Sequence, residues 1–164
     1  MHKKTETATF AAGCFWHVEE AFSKVKGVAG TMVGYTGGKM KNPDYKAVCS
    51  NETGHAEAVH IEFNPKVVSY EELLDVFWEI HDPTQLNRQG LDIGTQYRSA
   101  IFCHNERQKK AAIKSKEEQQ KKLKGKIVTQ IAPIEEFYKA EEYHQKYFEK
   151  NKVANILNKL NPFH

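Results

Sequence analysis

Strand-like and helix-like segments alternate along this chain, and their order leaves few folds open. Thr7–Ala12 reads as a short strand, poor in charge, that runs into Gly13. Cys14–Val25 follows as a helix, with Val18, Ala21, Phe22 and Val25 on one stripe and Gly27 as its stop. Val28–Tyr35 is a second strand, ended by the turn formers Thr36-Gly37-Gly38, with Asn42-Pro43-Asp44 continuing the loop. His55–Phe63 alternates, placing Glu57, Val59, Ile61 and Phe63 on one side. Ser69-x-x-Glu72 is a capping box that opens a helix carrying Leu73, Val76, Phe77 and Ile80 at helical spacing. Tyr97–Cys103 is a strand, Asn105-x-x-Gln108 opens a long charged helix to Lys124, Ile127–Ala132 is a strand and Glu135–Lys150 a last helix. The order is β-α-β-β-α-β followed by α-β-α. It predicts an α+β, two-layer fold: a ferredoxin-like (split βαβ) core, with helices on one face of the sheet, and an added α-β-α extension.

With 164 residues and neither a repeat nor a Pro/Ser-rich linker, the chain is expected to form a single domain over residues 1–164. Hydrophobic residues at 40% and charged residues at 27% exclude wholesale disorder. No stretch approaches the ~18 consecutive apolar residues of a membrane helix. The start, Met1-His2-Lys3-Lys4-Thr5-Glu6, lacks the apolar run of a signal peptide, so a cytoplasmic setting with reduced thiols is expected, and a monomer by default. Three cysteines without a C-x-x-C pair direct attention to individual thiols. The net charge of +3 hides an acidic stretch from Asp44 to Asp82 and a basic one from Ile101 to Lys126. The basic residues lie on a helical pattern with interleaved acids and no aromatics between residues 105 and 124, which argues for a solvated helix face and against nucleic acid.

Two residues carry a chemical signal. Cys14 stands where a strand ends and a helix begins, and the free N–H groups there favour a thiolate. Phe15 and Trp16 offer an apolar wall beside it; the bland alternative is a small buried thiol among core aromatics. Glu57 shares the helix-facing side of its strand with Val59, Ile61 and Phe63, where burial raises a carboxyl pKa and makes a general acid. The alternative, a strand-edge carboxylate paired with a lysine, weighs equally on sequence alone. His55, on the same parity, reads as a hydrogen-bonded structural residue. Tyr45 and Tyr97 provide phenolic donors on turns and Asp92 an acceptor, each weak evidence taken singly.

Seven segments together resemble the type A peptide methionine sulfoxide reductases. They are Gly13-Cys14-Phe15-Trp16, Val33-Gly34-Tyr35-Thr36-Gly37-Gly38, Asn42-Pro43-Asp44-Tyr45, Thr53-Gly54-His55-Ala56-Glu57, His81-Asp82-Pro83-Thr84, Asp92-Ile93-Gly94-Thr95-Gln96-Tyr97-Arg98-Ser99 and Ala140-Glu141-Glu142-Tyr143-His144-Gln145. The resemblance implies reduction of methionine S-sulfoxide, free or in proteins, as repair of oxidised proteins. It makes Cys14 the nucleophile that becomes a sulfenic acid, Glu57 the acid, and Phe15 with Trp16 the pocket for the substrate methyl. It also gives Tyr45 and Tyr97 the sulfoxide oxygen, and Asp92 a part in ordering the site. No metal or organic cofactor is implied, only an external thiol.

Two other classes compete. A metal-binding module would use Cys49, His55, Cys103 and His104, but close ligand pairs are missing. A thiol hydrolase or acyltransferase built on Cys14 would want a histidine base and an oxyanion hole. Regeneration of Cys14 is the departure from the family pattern. Relatives commonly carry resolving cysteines in a Gly-rich C-terminal tail, and residues 151–164 contain neither cysteine nor glycine. Instead Val153, Ile156, Leu157 and Leu160 fall at helical spacing. Cys103 reads as structural, which leaves Cys49 as a possible resolving thiol. Direct reduction of the sulfenic acid by thioredoxin, glutaredoxin or glutathione is the expected route.

Overall fold

The computed structural model describes residues 4–151, so the amphipathic segment expected at 153–160 lies outside the described residues. In chain order the elements are β1 (Glu6–Ala12), α1 (Phe15–Ser23), β2 (Val28–Thr36), α2 (Tyr45–Cys49), β3 (Ala56–Phe63) and α3 (Tyr70–Glu79). Then come β4 (Arg88–Gln89), β5 (Asp92–Ile93), a 3₁₀ turn at Thr95–Tyr97, β6 (Ser99–Cys103), α4 (Glu106–Gln120) and β7 (Gln130–Pro133). Last are β8 (Tyr138–Lys139), a 3₁₀ turn at Glu142–His144 and α5 (Tyr147–Lys150). Six strands form one sheet in the order β7-β6-β1-β3-β2-β8, and β4 with β5 makes a separate hairpin. Every neighbouring pair in the large sheet is antiparallel except β6 with β7. The architecture is a mixed α/β fold around a central sheet.

Strand parity divides β3 as its sequence pattern requires. Val59, Ile61 and Phe63 enter the larger core, shared with Val18 and Phe22 of α1, Leu73, Leu74 and Phe77 of α3, and Ala112 of α4. Phe10 sits at its centre, with ring centroids 5.2 Å from Phe22 and 5.3 Å from Phe77. Each such fully buried side chain contributes roughly 1.5–3 kcal/mol relative to exposure. The opposite face is built from Ala11, Ala56, Ala58, Ala100 and Phe102, roofed by Ile134 and Phe137 from the segment after β7. Both predicted caps form: Ser69 and Glu72 complete their box, and Asn105 accepts from Gln108 N–H.

Several expectations need correction. Residues 135–150 do not form one helix. This stretch lies against β2, where Lys139 pairs with Gly34 and Ala140 N–H donates to Val33 O. The Gln145 carboxamide both accepts from Val33 N–H and donates to Val33 O. Satisfying the edge of β2 outweighs local helix propensity here, because unpaired strand N–H and C=O groups are costly once buried. A side chain at Gly34 would stand 2.4 Å from Tyr138 O, so only glycine admits this approach. Asn42-Pro43-Asp44-Tyr45 is not all loop, since Asp44 accepts from Ala47 N–H and caps α2. Tyr97 lies in the 3₁₀ turn rather than in the strand, and the strand expected from Ile127 starts at Gln130.

Candidate active site

The turn from β1 to α1 depends on Gly13, whose φ of +99° is left-handed and whose missing Cβ leaves 3.0 Å to the Gln89 side chain. It delivers Cys14 as the N-cap of α1, with φ −58° and ψ 122° and a half-buried thiol. The expectation of a lowered thiol pKa fails. Burial pushes the Cys14 thiol well above the ordinary range, and the charge of Glu57 adds to the rise. The N–H groups of Trp16 and His17 pull the other way and are outweighed, because a desolvated anion costs more than the helix start returns. Cys14 rests as a neutral thiol.

Glu57 stands opposite Tyr35 in the β2–β3 ladder and is 1% exposed. Its Oε1 accepts from Phe15 N–H at 3.2 Å, and among the described residues no lysine pairs with it. Its Oε2 is buried and has no hydrogen-bond partner among the described residues. Burial pushes its pKa up to about 8; the Phe15 N–H opposes this, and the Asp92 charge reinforces it. The carboxyl is therefore protonated at neutral pH, with an uncommitted oxygen.

Tyr45 opens α2 and Tyr97 ends the 3₁₀ turn after the hairpin. Burial raises both phenols above their usual range, with the Tyr45–Cys49 hydrogen bond next in effect for Tyr45 and the Glu57 charge next for Tyr97. Both hydroxyls stay neutral and able to donate. Asn51 Oδ1 accepts from Thr95 N–H at 2.9 Å and from its hydroxyl, tying the end of α2 to the turn that carries Tyr97. Asp92 is exposed on β5 and acts on Cys14, Glu57 and Tyr97 through its charge.

Phe15 is 1% exposed and forms a floor against Tyr35 and His144 rather than an open wall. Trp16 is half-buried; its indole stacks on Tyr147 at 3.9 Å and donates to His144 Nδ1 at 2.9 Å. Indole N–H only donates, so Nδ1 accepts and the neutral ring carries its proton on Nε2. Burial keeps that ring neutral. Glu141 joins two elements, accepting from Tyr35 OH at 2.8 Å and from Tyr45 N–H at 3.0 Å.

Cys14, Phe15, Trp16, Glu57, Tyr45, Tyr97, Asp92 and Cys49 thus share one region. The four residues weighed as metal ligands do not converge. His55 accepts from Gly38 N–H and contacts Met40 O, Cys103 lies in the core, and His104 bonds the Thr9 hydroxyl. Among the described residues no group of three His, Cys, Asp or Glu is placed to hold a metal ion. Sequence reasoning gave no role to Tyr35, Glu141, His144 or Tyr147. The segment Ala140–Gln145 is one of the seven motifs, yet its local pattern reads as an ordinary helix. A neutral thiol, a neutral carboxyl, two phenolic donors and an aromatic floor suit a substrate with one polar oxygen flanked by apolar substituents.

Comparison with known proteins points the same way. Residues 6–163 match the family described as "Peptide methionine sulfoxide reductase". A relative in Methanosarcina acetivorans, "Peptide methionine sulfoxide reductase MsrA", is 65% identical over 155 residues, covering 93% of this chain and 82% of its own. The crystal structure of reduced Mxr1 from Saccharomyces cerevisiae superposes with a TM-score of 0.87 at 45% identity, over 91% of this chain and 87% of that one. Mxr1 in complex with Trx2 gives a TM-score of 0.64 at 33% identity, over 88% and 85%.

Proposed function

The chain belongs to the peptide methionine sulfoxide reductase family, type A, and is a thiol-dependent oxidoreductase acting on methionine sulfoxide; on that premise we propose how its residues do the work. Cys14 attacks the sulfoxide sulfur while the proton of Glu57 goes to the sulfoxide oxygen. The sulfur–sulfur bond formed by this attack breaks again as the oxygen passes from the substrate sulfur to Cys14 Sγ: the substrate sulfur gains two electrons, Cys14 loses two, and the oxygen ends as the hydroxyl of a Cys14 sulfenic acid. The proton that Cys14 loses replaces the one given by Glu57. Tyr45 and Tyr97 donate to the oxygen, and Asp92 helps order the site. Phe15 and Trp16 receive the methyl group, so that a fixed methyl pocket and a fixed oxygen site select the S epimer. No metal or organic cofactor takes part. The single observation that carries this reading is the buried Glu57 carboxyl, which takes the Phe15 N–H next to Cys14 on one oxygen and leaves the other uncommitted.

The reading is tested by one turnover without reductant. One methionine per chain and the gain of one oxygen on Cys14 support it; product without modification of Cys14 overturns it. Trp16→Ala should act differently from a loss of acid. Removing an apolar wall is expected to lower kcat/KM by roughly 10–200-fold, mostly through KM, and to relax epimer choice. An unchanged KM would exclude the methyl pocket.

Regeneration is proposed to run through an external thiol, thioredoxin, glutaredoxin or glutathione, attacking the sulfenic acid. The thioredoxin complex of the yeast relative supports a dithiol partner. The setting of Cys49 argues against its being a resolving thiol. Its thiol is coupled to the Tyr45 side chain, on a helix held at its two ends by Glu141 and Asn51. A disulfide needs the two Cα atoms at ~4.4–6.8 Å. Cys49→Ser should keep full multi-turnover activity with a small thiol. A Cys14–Cys49 disulfide trapped in wild type and absent from the variant would reverse this.

The order β6-β1-β3-β2, antiparallel throughout, with α1 and α3 on one side, supports assigning these elements to a ferredoxin-like core. A monomeric, single-domain, cytoplasmic enzyme completes the proposal, since a reducing compartment keeps all three thiols available.

A further inference from the structure

We propose that Glu141 is a positioning residue: it sets where the Tyr45 hydroxyl meets the substrate by holding the start of α2 against Tyr35. The inference rests on the reading that Tyr45 donates to the sulfoxide oxygen.

Helix α2 has five residues and buries only Val48. Isolated helices shorter than ~12–15 residues are marginal in water, so its placement comes from ties to the rest of the molecule. The Asp44 cap is internal to the helix and fixes no location. Asn51 ties the far end of α2 to Thr95. At the near end the Tyr45 ring packs on His144 at 4.4 Å, and the polar tie is Glu141, whose Oε2 accepts from the backbone N–H of Tyr45 itself. The other oxygen of the same carboxylate accepts from the Tyr35 hydroxyl.

Tyr35 is a fixed reference. It is fully buried, pairs with Glu57 across the β2–β3 ladder, and packs against Phe15 at 5.7 Å. Glu141 therefore locates Tyr45 relative to the same strand pair that holds the acid. Both donors need an acceptor, and one carboxylate supplies two acceptor oxygens. Burial pushes the Glu141 carboxyl up, but the Tyr45 N–H and Tyr35 hydroxyl bonds outweigh this and hold it below the ordinary range, so it stays ionised. Glutamine keeps the shape and offers one oxygen only, turning its NH₂ toward a donor.

The test is a double-mutant cycle on the rate of sulfenic acid formation, read in a single turnover, with circular dichroism to establish folding. Small misplacements at a reacting centre cost up to ~100-fold, so Glu141→Gln is expected to slow this step roughly 10–100-fold. In a Tyr45→Phe background, where the hydroxyl is already gone, the same substitution is expected to cost less than about threefold. An equal loss in both backgrounds, or none in wild type, overturns the inference. If Glu141→Gln does not fold, Tyr35→Phe frees one carboxylate oxygen. It should produce a smaller loss, on the order of threefold or more, that vanishes beside Tyr45→Phe; a loss that persists there again overturns it. Tyr45→Phe alone separates the two readings. A wild-type rate in that variant removes Tyr45 from the reaction, whereas a slow Tyr45→Phe with additive Glu141→Gln leaves the proposed function standing.

Discussion

Cys14→Ser is expected to abolish sulfoxide reduction while the protein remains folded. The side chain is half-buried and supplies no cap to α1, so exchanging sulfur for oxygen removes little packing. The chemistry has no substitute. Reduction requires an atom that forms a bond to the sulfoxide sulfur and then keeps the oxygen. Sulfur does so as a sulfenic acid, the first step of ordinary thiol oxidation. A serine oxygen would have to end as a hydroperoxide, an uphill product, and the alcohol is a far poorer nucleophile at neutral pH. Methionine release in a single turnover, with circular dichroism as the control for folding, measures this. Appreciable product from the serine variant would exclude Cys14 as nucleophile.

Glu57→Gln should lower the rate of the chemical step by ~10²–10⁴-fold with a much smaller change in KM, the usual cost of losing a general acid. A pH dependence goes with it. The acid form is needed and its pKa is about 8, so wild-type rates should fall as pH rises through that value, a limb that the glutamine variant lacks. Stability should move the opposite way. A carboxyl whose folded pKa is raised holds a proton that the unfolded chain has released between pH ~4.3 and about 8, which destabilises the fold progressively across that window. Glu57→Gln removes the penalty, so its Tm should exceed that of wild type by an amount that grows from pH 5 to 8. Wild-type kcat would take Glu57 out of the mechanism, and an unchanged Tm difference across this range would show that the carboxyl is not held neutral.

What was legible in the sequence follows from the range of the forces involved. The side of β3 that Glu57 occupies follows from period-two alternation, and the starts of α3 and α4 follow from caps spanning three residues. The state of Cys14 was half legible. A helix start can be read locally, whereas the depth of burial that overrides it comes from elements distant in sequence. The segment Glu135–Lys150 failed for the same reason. Glu135–Lys150 has the composition of a helix, yet Gln145 spends its carboxamide on Val33, 112 residues earlier, and no local pattern announces such a bond. Glu141 and His144 were hidden inside that misread segment.

The way the sheet ends has a consequence for what this enzyme can recognise. One margin is β7, four residues closed by Pro133, which lacks an N–H; the other is β8, only two residues long. Among the described residues, neither offers an extended polypeptide a continuous ladder to join. A repair enzyme meets damaged chains whose own strands are exposed, and an open margin would trap them by backbone pairing whatever their state of oxidation. With these margins closed, backbone pairing contributes little to recognition, which leaves discrimination to the side chain presented to Cys14. Short, closed margins also give the sheet little purchase for edge-to-edge aggregation.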